Sequence, residues 1–385
     1  MNCKICGEEN CKKHSFLLGK KITIQEFSGS SPPEIFVGKW NYPDVYTGIL
    51  SPQEYGNTKI MSSPEIWQKN KLEIPEILRL RNQLIYARTQ SNIKKLDTKF
   101  HDVMKEVAMT HKSISAQYML KKPISANLEQ DSKVPLINHA AQVDYVRLEE
   151  NPSVKPKVEY LVNDKEVKSA IAINELYDSG IDNSTIIKIL SAGLLGLKKN
   201  RKMVPTRWSI TAVDDTLSKQ KLEKIRFFPE IQEIQVFTAE YLGNHYEFLL
   251  LPDKWSFEVI EISQKSMTPW QDYESFFPRK RYAESVTGAY YANRLALTEY
   301  LEKIKKQCSC LVMREVRPEY YAPLGVGILR QTSREAFSMQ GRKFNTLGEA
   351  FQDIQSRLRI NISNYTEKSI ILKEYGKQQK LSGFF

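Results

Sequence analysis

The stretch from residue 231 to residue 262 constrains the fold most strongly, because its apolar residues alternate with polar ones as they do in β-strands. Val236–Leu242 and Tyr246–Leu251 flank the dipeptide Gly243-Asn244, which is a strong signal for a hairpin turn. Trp255–Ile262 alternates in the same way, and we expect it to pair alongside. A chain with this pattern has to build a sheet and then cover that sheet with other elements.

Most of the other patterned segments are helical, with apolar residues repeating every three or four positions. The predicted helices are Ile66–Thr89, Asp97–Ala116, Glu166–Tyr177, Thr216–Arg226, Tyr290–Lys306, a helix from Asn183 or Ser184 to Gly193, and one that begins at Asn345 or Thr346. Two more strands are predicted at Leu311–Val316 and Gly325–Leu329. The fold class is therefore α+β, with a mixed or antiparallel sheet and packed helices, while a mixed α/β arrangement stays open.

The 385 residues suffice for two or three domains or for one large domain. Prolines recur among polar residues from Lys121 to Pro156, which predicts an extended crossing or a linker. We expect four parts: an N-terminal knuckle at 1–20, a core formed by 21–160 and 161–365, and a flexible tail at 366–385.

The net charge of +11 favours polyanionic partners such as nucleic acid, nucleotides or a membrane surface. No uninterrupted apolar run is long enough to span a bilayer. The sequence starts with a stretch rich in cysteine and lysine, unlike a secretory signal peptide. We therefore expect a cytoplasmic protein that does not bind a membrane.

Three of the five cysteines lie close together near the N-terminus, with a histidine after them. Cys3, Cys6, Cys11 and His14 form a C-x2-C-x4-C-x2-H pattern. In a cytosolic protein such clustering indicates a metal site rather than disulfides. Three thiolates and one imidazole suit tetrahedral Zn²⁺, and a closed set of four ligands is typical of a structural site. The alternative is a set of incidental thiols.

The last eight residues carry a group of large apolar side chains that lie on one side of a single helical turn. Gln378, Leu381, Phe384 and Phe385 are its defining residues. Their spacing resembles the PCNA-interacting motif (PIP box), Q-x-x-[aliphatic]-x-x-[FY]-[FY]. An exposed apolar cluster of this kind is typical of docking into a partner's pocket. The pattern predicts binding to a sliding clamp; the alternative is that the tail packs on its own protein.

Two neighbouring segments carry positive charge, and the second also carries an aromatic side chain. The run of basic residues comprises Lys198, Lys199, Arg201 and Lys202 and is either a contact to the phosphate backbone of nucleic acid or a solvated loop. Arg207 beside Trp208 offers an anion clamp next to a stacking face. Trp40 and Tyr42 belong to another aromatic-rich segment that can pack or stack.

Asp214 and Asp215 are candidates for catalysis, because adjacent carboxylates can bind a divalent metal or act as acid or base. A competing interpretation makes Asp214 the N-cap of the predicted helix Thr216–Arg226, with Asp215 favoured by the helix dipole. The downstream helical pattern favours capping.

Arg294 falls on the apolar face of the predicted helix Tyr290–Lys306, so its guanidinium needs a carboxylate or a bound anion. Arg314 and Arg317 lie at a predicted strand and are further candidates for binding phosphate. Near the N-terminus, the loop Phe27–Gly38 carries Ser28, Ser30 and Ser31, which can line an anion site or simply form a turn.

Taken together, the Cys/His cluster, the Phe27–Gly38 loop, the run Leu190–Gly196 leading into Val204–Thr216, and the terminal octapeptide resemble the archaeal Nre family of DNA repair proteins. The resemblance spans essentially the whole chain. It implies a role in the DNA-damage response, binding of PCNA through the four tail residues and zinc at the four N-terminal ligands. It implies no catalytic mechanism.

The leading hypothesis is a repair factor that is tethered to the sliding clamp and binds damaged or structured DNA. The first alternative is an enzyme that acts on a nucleotide, a nucleotide-like modification or a DNA phosphodiester, with Arg207, Arg294, Arg314 and Arg317 holding phosphate. The sequence contains neither a P-loop nor a Rossmann glycine fingerprint, so whether the protein is an enzyme stays open. A second alternative is an adaptor that only bridges the clamp to other repair proteins.

Overall fold

The computed structural model describes residues 24–122, 124–129, 134–135 and 137–376. The predicted zinc ligands and the predicted clamp-binding residues lie outside these ranges. The described residues form two compact units, the first up to Leu217 with Tyr321–Gly327, and the second from Ser218 to Tyr320 with the residues that follow Gly327. The predicted boundary between residues 160 and 161 lies inside the first unit.

The first unit combines a mixed sheet with short helices. Its strands are β1 (Glu26–Ser31), β2 (Glu34–Val37), β3 (Asp44–Ser51), β4 (Ile85–Asn92), β5 (Ile114–Leu120), β6 (Ser125–Glu129) and β7 (Ile137–Leu148). Its helices are α1 (Pro64–Lys69), α2 (Ile74–Asn82), α3 (Lys99–Met109), α4 (Pro156–Asn163), α5 (Ser169–Asp178), α6 (Asn183–Ser191) and the first part of α7 (Thr206–Ile225). The strand order is β1-β5-β7-β4-β3-β2, with β6 also paired to β7. Only the pairing of β4 with β7 is parallel among these described strands.

Two predictions in this unit are wrong. The segment Lys121–Pro156, predicted as a crossing or linker, contains β6 and the central strand β7, whose Ile137, Ala141 and Val143 are buried. Its prolines, at positions 123, 135, 152 and 156, all lie outside β6 and β7, so they do not interrupt the ladder of β7. The helix predicted over Ile66–Thr89 is two short helices followed by β4, which starts at Ile85.

The second unit contains a second mixed sheet. Its strands are β8 (Ile234–Tyr241), β9 (Asn244–Leu251), β10 (Ser256–Ser263), β11 (Pro269–Glu274), β12 (Ser309–Val316) and β13 (Arg342–Phe344). Its helices are the rest of α7, α8 (Thr287–Ile304), α9 (Val326–Ser338, from Ile328 onward), α10 (Leu347–Gln355), α11 (Ser363–Thr366) and α12 (Ile370–Glu374). The strand order is β11-β10-β12-β9-β8-β13, and β10 with β12 is the parallel pair. The α+β prediction is therefore confirmed.

The predicted hairpin is present, and its turn residues Leu242 and Gly243 both have positive φ, 52° and 75°. Two positive φ angles are typical of the type I′ turn that matches strand twist. The strand predicted at Trp255–Ile262 also forms, but β12 lies between it and the hairpin. The segment Gly325–Leu329 was predicted as a strand and instead enters helix α9. Among the described residues, none of the helices is both long and apolar enough to cross a membrane.

Candidate nucleic-acid interface

Backbone hydrogen bonds bring three distant segments of the first unit side by side. The Ile93 N–H donates to the Pro43 carbonyl over 3.0 Å, and the Met203 N–H donates to the Ile93 carbonyl over 2.8 Å. These bonds join the turn before β3, the end of β4 and the residues that lead into α7. Side chains that are far apart in sequence therefore share one surface.

Three large aromatic side chains on these segments are exposed. Trp40 is 68% exposed, Tyr42 43% and Trp208 44%. The rings of Tyr42 and Trp208 contact each other at a centroid distance of 5.2 Å. The Lys39 ammonium lies 4.5 Å from the centre of the Trp40 ring. Exposed aromatic side chains that neighbour each other are typical of a binding surface.

Exposed lysines flank these rings, because Lys94 and Lys95 follow Ile93 directly and Lys202 precedes Met203 directly. The aromatic–lysine surface is defined here as Trp40, Tyr42, Trp208, Lys39, Lys94, Lys95 and Lys202. Its rings offer faces on which unpaired bases can stack, and its ammonium groups can contact phosphates. The sequence pattern indicated Trp208 and Lys202 but gave no signal for Lys94 and Lys95. These two lysines lie beside Lys202 because the Met203 N–H donates a hydrogen bond to the Ile93 carbonyl.

The basic run from Lys198 to Lys202 divides into anchoring and exposed residues. Arg201 donates to the carbonyls of Gly196, Val162 and Asp164 over 2.8, 2.7 and 2.6 Å. It therefore holds the loop in place. Lys198, Lys199 and Lys202 are exposed, and their contact with nucleic acid stays a prediction.

Arg207 is half-buried in the first turn of α7, next to the exposed Trp208, and its role as an anion clamp stays a prediction. Thr206, where α7 begins, accepts a hydrogen bond from the Val37 N–H over 2.9 Å. This contact fixes the start of the helix on β2 and so positions Trp208 at the surface.

The two candidate catalytic carboxylates lie in the middle of α7 and are buried. The interpretation of Asp214 as a helix N-cap is wrong, since α7 begins at Thr206 and not at Thr216. The Asn183 amide donates to Asp214 Oδ1 over 3.4 Å. Within residues 24–122, 124–129, 134–135 and 137–376, no group of three or more histidine, cysteine, aspartate or glutamate side chains is arranged to hold a metal. A catalytic role for Asp214 or Asp215 stays a prediction.

Arg294 in the second unit forms a buried ion pair. Its Nη1 lies 2.7 Å from Glu274 Oε2, and its Nε donates to Ser218 Oγ over 3.1 Å. The pair belongs to a cluster in which Trp255 Nε1 also donates to Glu274 over 3.1 Å. The guanidinium thus has the carboxylate partner that sequence analysis gave as the alternative to phosphate.

Arg314 and Arg317 on and after β12 also have carboxylate partners. Arg314 pairs with Glu261 and donates to the Asn244 side-chain oxygen over 2.5 Å. Arg317 lies 2.5 Å from Glu240 and 3.0 Å from Glu315. These contacts link strands of the second sheet. Binding of phosphate by either arginine stays a prediction.

Comparison with known proteins identifies relatives over the full length. The family described as "Archaeal Nre, N-terminal" matches residues 3–271, and "Archaeal Nre, C-terminal" matches residues 274–384. The chain is 33% identical over 389 residues to "DNA repair protein NreB" of Archaeoglobus fulgidus, covering 99% of this chain and 97% of the relative.

Two further relatives carry similar names. "DNA repair protein NreA" of Archaeoglobus fulgidus is 32% identical, over 99% of this chain and 96% of its own length. "DNA repair protein NreA" of Haloferax volcanii is 30% identical, over 89% of this chain and 85% of its own length. No solved structure matches the chain. Two family matches that together span nearly all residues, with relatives at this identity, show that the chain belongs to the archaeal Nre family.

Proposed function

We propose that this protein is a DNA repair factor that holds unpaired DNA on the aromatic–lysine surface and binds the sliding clamp PCNA through Gln378, Leu381, Phe384 and Phe385. The observation that carries the DNA part is the group of exposed rings among exposed lysines. The names of three relatives, all DNA repair proteins, support the repair role.

The chemistry of the surface favours unpaired over paired bases. The side chains of Tyr42 and Trp208 are exposed at the surface, and stacking of a base on an aromatic ring contributes about 1–3 kcal/mol per base. In a duplex, base faces are already stacked on each other, so they are not accessible to these rings. The lysines add a sequence-independent attraction to phosphates, which agrees with the net charge of +11.

Tethering to the clamp would compensate for modest intrinsic DNA affinity, because a tether raises the local concentration of a weak binder. The segment that precedes the octapeptide is firmly fixed in the second unit. The buried Glu258 carboxylate on β10 accepts hydrogen bonds from the Ser369 hydroxyl and from the N–H groups of Ile370 and Ile371, over 2.6, 2.9 and 3.2 Å. These contacts give the clamp-binding residues a defined point of attachment.

Clamp binding is tested by the Phe384→Ala/Phe385→Ala variant, measured against immobilised PCNA by surface plasmon resonance. We expect binding to be lost, because the two rings supply most of the apolar contact. Ser382→Ala is the matched control, since position 382 is not a defining residue of the motif, and it should bind as the wild type does. Equal affinity of the double variant and the wild type would remove the clamp from the proposal.

DNA binding is tested by fluorescence anisotropy with a labelled single-stranded oligonucleotide. Trp208→Ala should weaken binding by about tenfold, which corresponds to the loss of one stacking contact. Trp270→Ala is the matched control, because Trp270 is also exposed but belongs to the second unit. An adaptor without DNA-binding function would show little affinity in every variant and little dependence on salt.

The proposal includes one structural Zn²⁺ held by Cys3, Cys6, Cys11 and His14, on the basis of their residue types and spacing. Metal analysis of the purified protein should give one zinc per chain. Cys3→Ser/Cys6→Ser should remove it, since a closed tetrahedral site does not survive the loss of two thiolates. Retention of one zinc by that variant would contradict the assignment.

The contacts of three candidate arginines do not favour the alternative of an enzyme with an arginine-lined phosphate pocket. Arg294, Arg314 and Arg317 each have a carboxylate partner within the second unit. No specific observation among the described residues favours a catalytic site at Asp214 or Asp215.

A further inference from the structure

A polar cleft in the first unit lies where β1, β5 and two loops meet. Its volume is about 550 Å³. The side chains that matter for its chemistry are Ser30, Lys59, His111, Lys112, Ser113 and Ser115. A volume of this size is within the range of small-ligand sites and suits a mononucleotide.

The loop that follows β3 approaches β1 closely at the cleft. Ser30 on β1 lies directly opposite Ser115 on β5 in the antiparallel register. At Gly29, a Cβ atom would lie 2.0 Å from the Pro52 carbonyl oxygen, so only glycine lets the loop that contains Pro52 pass so close to β1. The Ser30 N–H then donates to the Glu54 carbonyl over 2.9 Å, which places the loop against the cleft.

The hydroxyls of Ser30 and Ser115 together have one proton more than their mutual hydrogen bond uses. Ser30 Oγ accepts from the Gly56 N–H over 3.0 Å, and it lies 2.9 Å from Ser115 Oγ. Only one of the two hydroxyls can donate within this pair. Whichever donates, the other hydroxyl proton has no acceptor among the described residues, although Ser30 is 97% buried, being 3% exposed. This proton is therefore available to a ligand.

A second hydroxyl lies beside this pair. Ser113 Oγ accepts from the Thr58 N–H over 3.0 Å. The one proton of the Thr58 hydroxyl goes either to the Ser30 carbonyl over 2.6 Å or to Ser113 Oγ over 3.2 Å. In the first case Ser113 can donate to the Thr58 oxygen, over a distance that is long for two hydroxyls; in the second case its proton has no acceptor in the described part of the chain. The Ser113 proton is therefore at most weakly held.

The charged groups of the cleft add further hydrogen-bond donors. Neither the Lys59 nor the Lys112 ammonium forms an ion pair with a carboxylate among the residues that the structure describes, although the Lys59 charge helps to lower the pKa of Asp182. His111 Nδ1 donates to the Ser153 carbonyl over 2.6 Å, which fixes the ring in the cleft wall. The one carboxylate of the lining, Glu150, accepts from the Ser115 N–H over 2.7 Å. Two ammonium groups, the spare proton of the Ser30–Ser115 pair and the weakly held Ser113 proton match a doubly charged, acceptor-rich group.

From these donors we propose that the cleft binds a phosphate monoester, either on a nucleotide or at the end of a DNA strand. Lys59 and Lys112 balance its two charges, and the hydroxyls of Ser113 and of the Ser30–Ser115 pair bind its oxygens. The other two serines of the predicted anion loop do not take part: Ser31 donates to the Leu50 carbonyl over 2.7 Å, and Ser28 does not line the cleft. The site does not depend on the clamp or on the aromatic–lysine surface.

Isothermal titration of the full chain with a 5′-mononucleotide, and with one oligonucleotide with and without a 5′-phosphate, tests the proposal. Binding of the mononucleotide, competed by inorganic phosphate, identifies a nucleotide site. Binding that needs the 5′-phosphate of the oligonucleotide identifies a site for DNA ends. Absence of binding to every phosphorylated ligand, or equal binding of both oligonucleotides without mononucleotide binding, overturns the proposal.

Variants locate the site. Lys59→Ala and Lys112→Ala should each weaken binding by at least about tenfold, because each removes a charge-assisted contact. Lys69→Ala is the control, since Lys69 is an exposed lysine on α1 outside the cleft. Lys112 is exposed, so its replacement should not change the unfolding temperature. Wild-type affinity in both cleft variants would place the ligand elsewhere. Trp208→Ala should leave phosphate binding unchanged, which separates this site from the aromatic–lysine surface.

Discussion

Replacing Arg294 with methionine would remove the partner of a buried carboxylate and thereby test what this arginine does. Arg294 is 1% exposed and Glu274 2%, and their closest atoms lie 2.7 Å apart. If the arginine is structural, its removal destabilises the second unit. If it serves a ligand, its removal lowers affinity and leaves stability nearly unchanged.

The expected decrease in the free energy of unfolding follows from the surroundings of Glu274. Removing one member of a buried ion pair typically costs about 3–5 kcal/mol, because the other charge is left without compensation. Here Trp255 Nε1 still donates to Glu274 Oε1 over 3.1 Å, and Arg226 Nη2 lies 3.9 Å from the same oxygen. Both contacts compensate part of the charge, so we expect a loss near the lower limit, about 3 kcal/mol.

Urea unfolding followed by tryptophan fluorescence measures this loss, and Trp255 reports from within the cluster itself. Arg294→Met/Glu274→Gln is the matched control. It should regain part of the stability, since no unpaired buried carboxylate remains at position 274, while the charge of Arg226 stays nearby. A single variant that unfolds as the wild type does but binds nucleotide or DNA more weakly would refute the structural role of Arg294.

Two further predictions concern single residues. Burial alone would lower the pKa of His245, but hydrogen bonds from its ring to Glu240 and Glu247 raise it above the usual value. A raised pKa in the folded state contributes stability that is fully present below the ordinary value of about 6.5 and is lost as pH rises through the folded pKa. The free energy of unfolding should therefore fall with rising pH above about 6.5, and His245→Gln should flatten that part of the profile; a parallel profile would contradict this. Gly29→Ala should destabilise the protein by more than about 2 kcal/mol in thermal or urea unfolding, since the loop at Pro52 must move away. Unfolding like the wild type would show that the loop does not press on β1.

Local signals predicted local structure well. Gly243-Asn244 between two alternating runs predicts a hairpin, and the hairpin forms with its turn one residue earlier, at Leu242 and Gly243. The helix predicted to begin at Asn345 or Thr346 is α10, and Thr346 and Glu349 form a capping box at its start with both reciprocal hydrogen bonds present. Each of these features depends on residues within a few positions of each other, which is why the sequence was sufficient.

Features that depend on distant partners were predicted poorly. β7 is central because β4, β5 and β6 pair with it, and neither its own polar residues nor the prolines before and after it gave a sign of this. The start of α7 was misread because Asp214 looks like a cap locally, whereas Thr206 is held by Val37 on β2. The aromatic–lysine surface likewise forms through bonds between segments that are far apart in sequence.

If DNA lies on the aromatic–lysine surface, the salt dependence of binding reports the contacts between its phosphates and the lysines of that surface. Anisotropy titrations with single-stranded DNA at several salt concentrations give the slope of log K against log salt for the wild type and for Lys94→Ala/Lys95→Ala/Lys202→Ala. Each phosphate contact contributes about 0.7 to the slope for single strands, so losing three should reduce its magnitude by about 2. Weaker binding with that smaller slope is the predicted result. An affinity and a slope identical to those of the wild type would show that DNA binds elsewhere.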